Sequence, residues 1–318
     1  MARSRRVGWV SPTLPLLSSP GTPTAHGTVG GVGVLGVDAT VSRQMHRTLE
    51  PYHGMIYFVR EAQAEYARVG LTGNRMGYFA SRAAPLGAVS ADVVIATFFN
   101  FNPALVRRVI PLAWERATPA EIVDARFRAA DQALRRLLGD DVTSSDIKEA
   151  AELARAATEG CVPVGRPLYA GHASLPWPAE PHLVLWHAQT LLREFRGDGH
   201  IAAMVTQDLT GVDALVLHEA TGDLPRGVLQ ASRAWPDEDW NAARARMSER
   251  GWLTSTGALT DEGRAARDWV EMTTDQLMLR CWEPLGEGAC QRLRALVRPH
   301  SRVIAAATLT LDASLRDE

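Results

Sequence analysis

Residues 250–264 read Arg-Gly-Trp-Leu-Thr-Ser-Thr-Gly-Ala-Leu-Thr-Asp-Glu-Gly-Arg, and the fold turns on them. Gly251 stands where a helix over 236–250 needs a residue tolerant of the left-handed region at its C-terminus. Trp252-Leu253 and Ala258-Leu259 can pair as two short strands around the turn Ser255-Thr256-Gly257. Thr260 then caps a new helix whose first turn holds Asp261 and Glu262, acids that suit the positive end of the helix dipole. Working outward toward the N-terminus, the pattern predicts a short helix over 225–233 and an apolar one over 212–221.

Three helices, a two-stranded wing and a further helix form the winged-helix order, expected here over 212–280. The run Arg250-Gly251-Trp252-Leu253, followed by Leu259-Thr260-Asp261-Glu262-Gly263-Arg264, resembles the matching segment of MarR-like winged-helix proteins. That resemblance covers about a quarter of the chain and implies fold rather than function. In a winged helix that reads DNA, the start of the third helix enters the major groove and nearby Arg or Lys hold phosphates. Here that start is Trp235-Pro236-Asp237-Glu238-Asp239-Trp240, and three successive carboxylates repel phosphate. The wing tip Thr254-Ser255-Thr256-Gly257 carries no Arg for a minor groove. Arg244, Arg246 and Arg250 lie further along the third helix, where Glu249 or solvent is their expected partner. DNA is therefore a disfavoured partner for this unit.

Upstream of it the chain is helical from Thr40 onward. Helices are expected over 41–49, 51–58, 61–69, 76–83, 91–99 and 103–114. Thr118-Pro119-Ala120-Glu121 is a capping box with Pro at the first helical position, opening a long helix that Gly139 ends. Another helix is expected over 145–158. Five prolines between residues 162 and 181 argue against a helix there and mark a linker. Beyond it, helices are expected over 181–195 and 199–207.

The two halves share a faint ordered pattern. Glu50-Pro51 and Glu180-Pro181 are each placed to open a helix, Asp92 faces Asp213, Pro103 faces Pro225 and Trp114 faces Trp235. The expected fold is accordingly mostly α, with two winged-helix-like repeats over 40–161 and 181–300, a Pro-rich linker over 162–180 and tails over 1–39 and 301–318. Taken whole, 40–300 resembles an actinobacterial family of helix-turn-helix proteins. The likeness rests on Leu49-Glu50-Pro51-Tyr52-His53, on the run from Gly77 to Pro85 and on the run from Leu192 to His200.

The formal net charge of -2 leaves no global positive field to recruit nucleic acid or an anionic membrane, so either would need a local patch. Cys161, Cys281 and Cys290 form no CxxC pair, which points to buried thiols and a cytoplasmic setting rather than a disulfide framework. No apolar run reaches the roughly 18 residues of a transmembrane helix. Arg5-Arg6 precedes a mildly apolar stretch that Pro12 and Pro15 interrupt, so a disordered tail is expected there rather than an export signal. No phosphate-binding glycine loop, dinucleotide fingerprint or two-histidine metal motif is present, so no cofactor and no metal are expected.

Chemistry is left to polar residues inside apolar helices. His53 and Tyr57 are four apart on one helix face, as a base and a hydroxyl donor or as a mutually satisfied pair within an interface. Arg82, behind Tyr78 and Phe79, needs a carboxylate, either a ligand's or the protein's own, such as Glu50. Asn100 and Asn102 flank Phe101 and serve either a ligand or the start of the helix at Pro103. His187 lies in an apolar stretch, and Arg193 and His200 belong to a charged run around an expected turn.

Together these give one expectation: a pocket between repeats that holds a small aromatic or carboxylated molecule. His53, Tyr57, His187 and His200 would serve acid/base chemistry there, and Arg82, Asn100, Asn102 and Arg193 would bind the ligand. A ligand-responsive MarR-like regulator is the alternative, and a protein-interaction module using the acidic helix a third. The assembly is expected to be a monomer acting as a pseudo-dimer, or a homodimer, with no membrane partner.

Overall fold

Asp38 opens the first helix by accepting the Val41 N–H at 2.9 Å, which satisfies one free amide of the first turn. That helix, α1 (Ala39–Gly54), begins the computed structural model, which describes the backbone of residues 37–314 and side chains through 308. The tail expected over 1–39 thus lies, up to residue 36, outside the described residues. α1 runs through Pro51, which forgoes one hydrogen bond inside an otherwise continuous helix. Glu50-Pro51 therefore does not open a helix as Glu180-Pro181 does.

α2 (Arg60–Arg68), α3 (Gly73–Ala83), α4 (Ala91–Phe98) and α5 (Pro103–Arg116) follow. Thr118 and Glu121 close the expected capping box on α6 (Pro119–Leu138), and Gly139 ends it at φ 57°. α7 (Ser145–Thr158) leads into the proline-rich segment. That segment was expected to be non-helical, yet it holds α8 (Pro167–Ala173). Pro167 occupies the first helical position, where a missing N–H is harmless, and Leu168 and Tyr169 are buried.

α9 (Pro181–Thr206) is one unbroken helix, where a turn near Gly197 and Gly199 was expected. The Arg166 guanidinium lies against Gly199 and donates to the Phe195 carbonyl at 2.7 Å. A Cβ at residue 199 would stand 2.0 Å from Arg166 Nη1, so this glycine provides room for a crossing side chain rather than a bend.

The expected helix order of the C-terminal unit is present as α10 (Gly211–Glu219), α11 (Arg226–Arg233), α12 (Asp237–Glu249) and α13 (Asp261–Leu277). Thr260 accepts the Gly263 N–H at 3.0 Å and caps α13. The wing is slighter than expected. No strand forms among the described residues, and Leu253 and Leu259 make a single antiparallel bridge, flanked by a Thr254 N–H bond to the Ala258 carbonyl at 2.8 Å. Gly257 turns the loop at φ 86°, and a Thr260 N–H bond to the Trp252 carbonyl at 3.0 Å lies on the other side of the bridge. α14 (Leu279–Trp282) and α15 (Gly286–Ser314) complete the fold. α15 passes residue 300, where a tail was expected, and buries Ile304.

The largest apolar core draws on α1, α6, α7, α9 and α15 through residues such as Met45, Tyr52, Ile122, Ala150, Trp186 and Val297. Alanines on α6 let it approach α2 closely and those on α7 let it approach α9 and α15, and each large side chain buried there stabilises the fold by about 1.5–3 kcal/mol. A second core lies under the C-terminal unit around Val216, Leu229, Trp240 and Met247. A third joins Phe79, Phe98, Phe101 and Val106. α9 spans the first two, with Phe195 in one and Met204 in the other. No single described helix is long and apolar enough to cross a membrane.

Candidate functional site: an arginine-lined cleft

Along α9, Arg193, Glu194, Asp198 and His200 line a cleft of about 270 Å3 whose other walls include Tyr78 and Arg82 of α3 and Arg233 of α11. Tyr78 and Arg82 are four apart on one face of α3, and Arg82 Nη1 donates to the Tyr78 hydroxyl at 2.8 Å. Phe98, Phe99 and Phe101 supply an apolar, ring-bearing side to the same space.

Glu194 is the electrostatic centre. Arg82 donates to its carboxylate through Nη2 at 2.8 Å and Nε at 3.3 Å, and Arg193 Nη1 adds a third bond at 3.0 Å. Burial opposes ionisation, but the two guanidiniums hold the Glu194 carboxyl well below the usual carboxylate range. The partner expected for Arg82, Glu50, instead faces Arg193 Nε at 3.4 Å.

Arg233 differs from these cations. It makes no ion pair with a carboxylate among the described residues, and its buried Nε has no hydrogen-bond partner. Its guanidinium carbon sits 4.6 Å from the centre of the Phe101 ring. Burial, followed by the charges of Arg75, Arg82 and Arg193, lowers its pKa from the ordinary guanidinium value. The end of α11 is fastened to the opposite wall. Asn102 N–H donates to the Arg233 carbonyl at 3.0 Å, Trp235 Nε1 donates to the Asn100 carbonyl at 2.8 Å, and Arg75 donates to the carbonyls of Ser232 and Ala231.

Tyr78 and Tyr57, with ring centres 5.1 Å apart, are driven in opposite directions. Burial raises a phenol's pKa, and Tyr57 follows that trend. Around Tyr78 burial is outweighed by Arg82, Arg193 and Arg233, which hold the phenol below its ordinary value. Asp198 is pushed up to about 6 by burial, although its Oδ2 accepts the Tyr169 N–H at 2.9 Å.

The turn between α11 and α12 presents a different surface. Asp237, Glu238 and Asp239 are exposed at the start of α12, with Asp237 bound by Arg226 at 2.6 Å. The basic residues of α12 are engaged by the protein, though not by Glu249 as expected. Arg244 meets Glu219 at 3.4 Å, Arg246 meets Asp213 at 2.7 Å, and Arg250 donates to the carbonyls of Gln207 and Asp208. A helix-turn-helix family model matches residues 42–310. The chain belongs to this helix-turn-helix family. No curated protein and no solved structure matches it.

Within this helix-turn-helix protein the residues singled out from sequence fall into three groups. Arg82, Arg193, Asn100 and His200 line the cleft together. His200 Nδ1 lies 2.9 Å from the Thr274 hydroxyl, which itself donates to the Val270 carbonyl at 2.7 Å. The Thr274 proton is thus spent, so His200 carries its own proton on Nδ1 and leaves Nε2 as an acceptor.

His53 and Tyr57 stand one layer behind. Thr190 donates to the Trp186 carbonyl at 3.0 Å, which makes His53 Nδ1 the donor in its 3.0 Å contact with the Thr190 hydroxyl. His53 Nε2 then accepts from Tyr57 Oη at 2.8 Å, and burial keeps the imidazole neutral. The Tyr57 ring contacts Arg82 and Arg193 with centroid distances of 5.9 and 5.6 Å.

The remaining two do not reach the cleft. Asn102 caps α5 by accepting the Ala104 N–H at 2.8 Å. His187 is wedged between Phe127 and Trp177, with its Nε2 unpartnered. Tyr78, Glu194, Asp198 and Arg233 were not singled out. The i, i+4 spacing of Tyr78 and Arg82 was a usable signal for the first, whereas nothing local marks Arg233. Among the described residues no three His, Cys, Asp or Glu side chains cluster so as to hold a metal ion.

Proposed function

We propose that this winged-helix-derived protein binds a small anionic molecule bearing a planar or aromatic group in the Arg82–Arg193–Arg233 cleft. Arg233 carries the proposal: it is a largely buried cation with an unpartnered Nε and no carboxylate of its own, so an incoming anion completes its coordination. Arg82 and Arg193 are already committed to Glu194 and set the field rather than receive the anion. Phe98, Phe99 and Phe101 supply the apolar contact that a ring needs. The cleft lies between α3 with the 97–101 segment on one side and α9 with the end of α11 on the other, which supports a pocket shared by the two halves of the chain.

The proposal extends to acid/base chemistry without a cofactor. Tyr78, its phenol eased toward ionisation, and His200, with a free Nε2, are the groups that exchange a proton with a ligand in the cleft. His53 and Tyr57 act from behind by fixing the Arg82 and Arg193 guanidiniums.

Isothermal titration with a panel of aromatic mono- and dicarboxylates tests this reading. Binding that weakens at least about tenfold in Arg233→Met, or about 1.4 kcal/mol, is the expected result. Equal affinity in the variant, or no binding by any member of the panel, overturns it. A ligand-responsive DNA-binding regulator of the MarR type is the second reading, favoured by the helix-turn-helix family match. The exposed acids at the start of α12 weigh against DNA contact through that helix.

A further inference from the structure

A second face of the molecule carries the charge that α12 lacks. α1 and α15 enclose an open groove of about 410 Å3 into which Arg47, Arg294, Arg298 and Arg302 project, and no acidic residue lines it. Arg294 is held by neutral acceptors only, Gln44 Oε1 at 2.5 Å and Gln291 Oε1 at 3.0 Å, so its charge is fixed in place without being cancelled. Arg47, Arg298 and Arg302 are exposed and form no ion pair with a carboxylate among the described residues. The Ser301 hydroxyl in the same groove is buried and has no hydrogen-bond partner.

On a chain of net charge -2, four uncompensated guanidiniums along one groove are a local departure that global charge does not explain. We propose that this groove binds the phosphate backbone of a nucleic-acid duplex. Arg294, Arg298 and Arg302 recur every fourth residue, so they form a stripe about 12 Å long on α15. A single phosphate would call for convergence on one point. A row of that length instead passes about four successive phosphates of one duplex strand, which lie about 3.4 Å apart along the axis.

The composition of the walls selects among polyanions. No aromatic side chain lines the groove, so unpaired bases find nothing to stack on and a single strand gains little. Pro51 and Ala305 are its only apolar residues, too small a surface to enter a lipid headgroup layer. Nor does the lining offer a set of groups placed to read base edges, and the binding is accordingly independent of sequence.

Fluorescence anisotropy of a labelled mixed-sequence DNA duplex, titrated with the full chain over a salt series, tests the proposal. The affinity is expected to fall steeply with salt. Arg298→Gln/Arg302→Gln should flatten the log–log salt slope by about 2, near 0.9 for each phosphate no longer neutralised, while Arg298→Lys/Arg302→Lys retains it. Both positions are exposed, and unchanged thermal melting of the variants separates a weakened grip on the duplex from an unfolded chain. Asp237→Asn/Glu238→Gln on α12 should leave the affinity as it was. The proposal is overturned by absence of duplex binding, by a slope indifferent to the groove variants, or by tighter binding in the α12 variant, which would put the duplex on the helix-turn-helix. Preference for the single strand or for phosphatidylserine vesicles also overturns it.

Discussion

The Arg82 guanidinium forks onto both carboxylate oxygens of Glu194, a residue 112 positions away, and both side chains are withdrawn from solvent. Such a pair is poor evidence of net stabilisation, because desolvating two charges offsets most of their attraction. Breaking it is another matter. Glu194→Gln leaves Arg82 buried without its counter-ion and Arg193 with Glu50 alone, and should lower stability by about 3–5 kcal/mol in urea denaturation. The joint replacement Arg82→Met/Glu194→Leu removes both charges and should cost distinctly less. Equal losses for the two variants would contradict this account.

The rim of the cleft depends on Gly211. A Cβ there would stand 2.1 Å from the Phe99 carbonyl oxygen and 2.8 Å from Asn100 Cα, and backbone cannot yield as a flexible side chain can. Gly211→Ala should displace the 99–100 loop, lower stability by about 1–3 kcal/mol and weaken carboxylate binding in the cleft together. Wild-type values for both in calorimetry would refute the prediction.

Acid should weaken the fold before any carboxylate in the ordinary range titrates. Burial lowers His46 to about 3, His172 to about 3 and His187 to about 4, against an ordinary value of 6.5. Between these values the unfolded chain binds more protons than the folded one, so the stability present above pH 6.5 is lost as pH falls toward 4. Asp198, raised to about 6, runs the other way, since its contribution is largest at low pH and lost as pH rises through 6. Three imidazoles outweigh one carboxyl. The urea midpoint should therefore fall between pH 6.5 and 4, and a flat profile over that interval would contradict the assignment.

Cys161 and Cys281 face each other with sulfurs 3.0 Å apart, and Cys290 is buried nearby in sequence. The contact with Cys161, together with burial, raises the Cys281 pKa, and burial pushes Cys290 up to about 11. The nucleophilic thiolate is thus scarce at neutral pH. Native protein should react slowly with a thiol-disulfide reagent and release all three thiols promptly once unfolded in urea. Rapid labelling of the folded chain would show that these sulfurs are accessible.

What the sequence made legible was local. Thr118 with Glu121, Gly139 and Thr260 mark helix ends through bonds that span three or four residues, and each functions as expected. Gly199 misled because its reason is Arg166, a side chain from another element that occupies the space of a Cβ. Pro167 misled because a proline forbids the middle of a helix but favours its start. In the site, Arg82 was visible as a cation in apolar company, but its partner is fixed only by the packing of α3 on α9. The apolar stretch that drew notice to His187 is the same stretch that carries it away from the cleft, between Phe127 and Trp177.

The bonds that fasten the end of α11 have a mechanical meaning. Arg233 is both the last residue of α11 and a wall of the cleft, and its carbonyl is held by Asn102. The turn into α12 is anchored through Trp235 to Asn100, on the opposite rim. α11 cannot tilt without carrying that guanidinium with it, and an occupant that draws Arg233 inward pulls on the turn. A displacement of Arg233 is thus passed through these bonds to the turn that precedes α12, with the arginine as its lever.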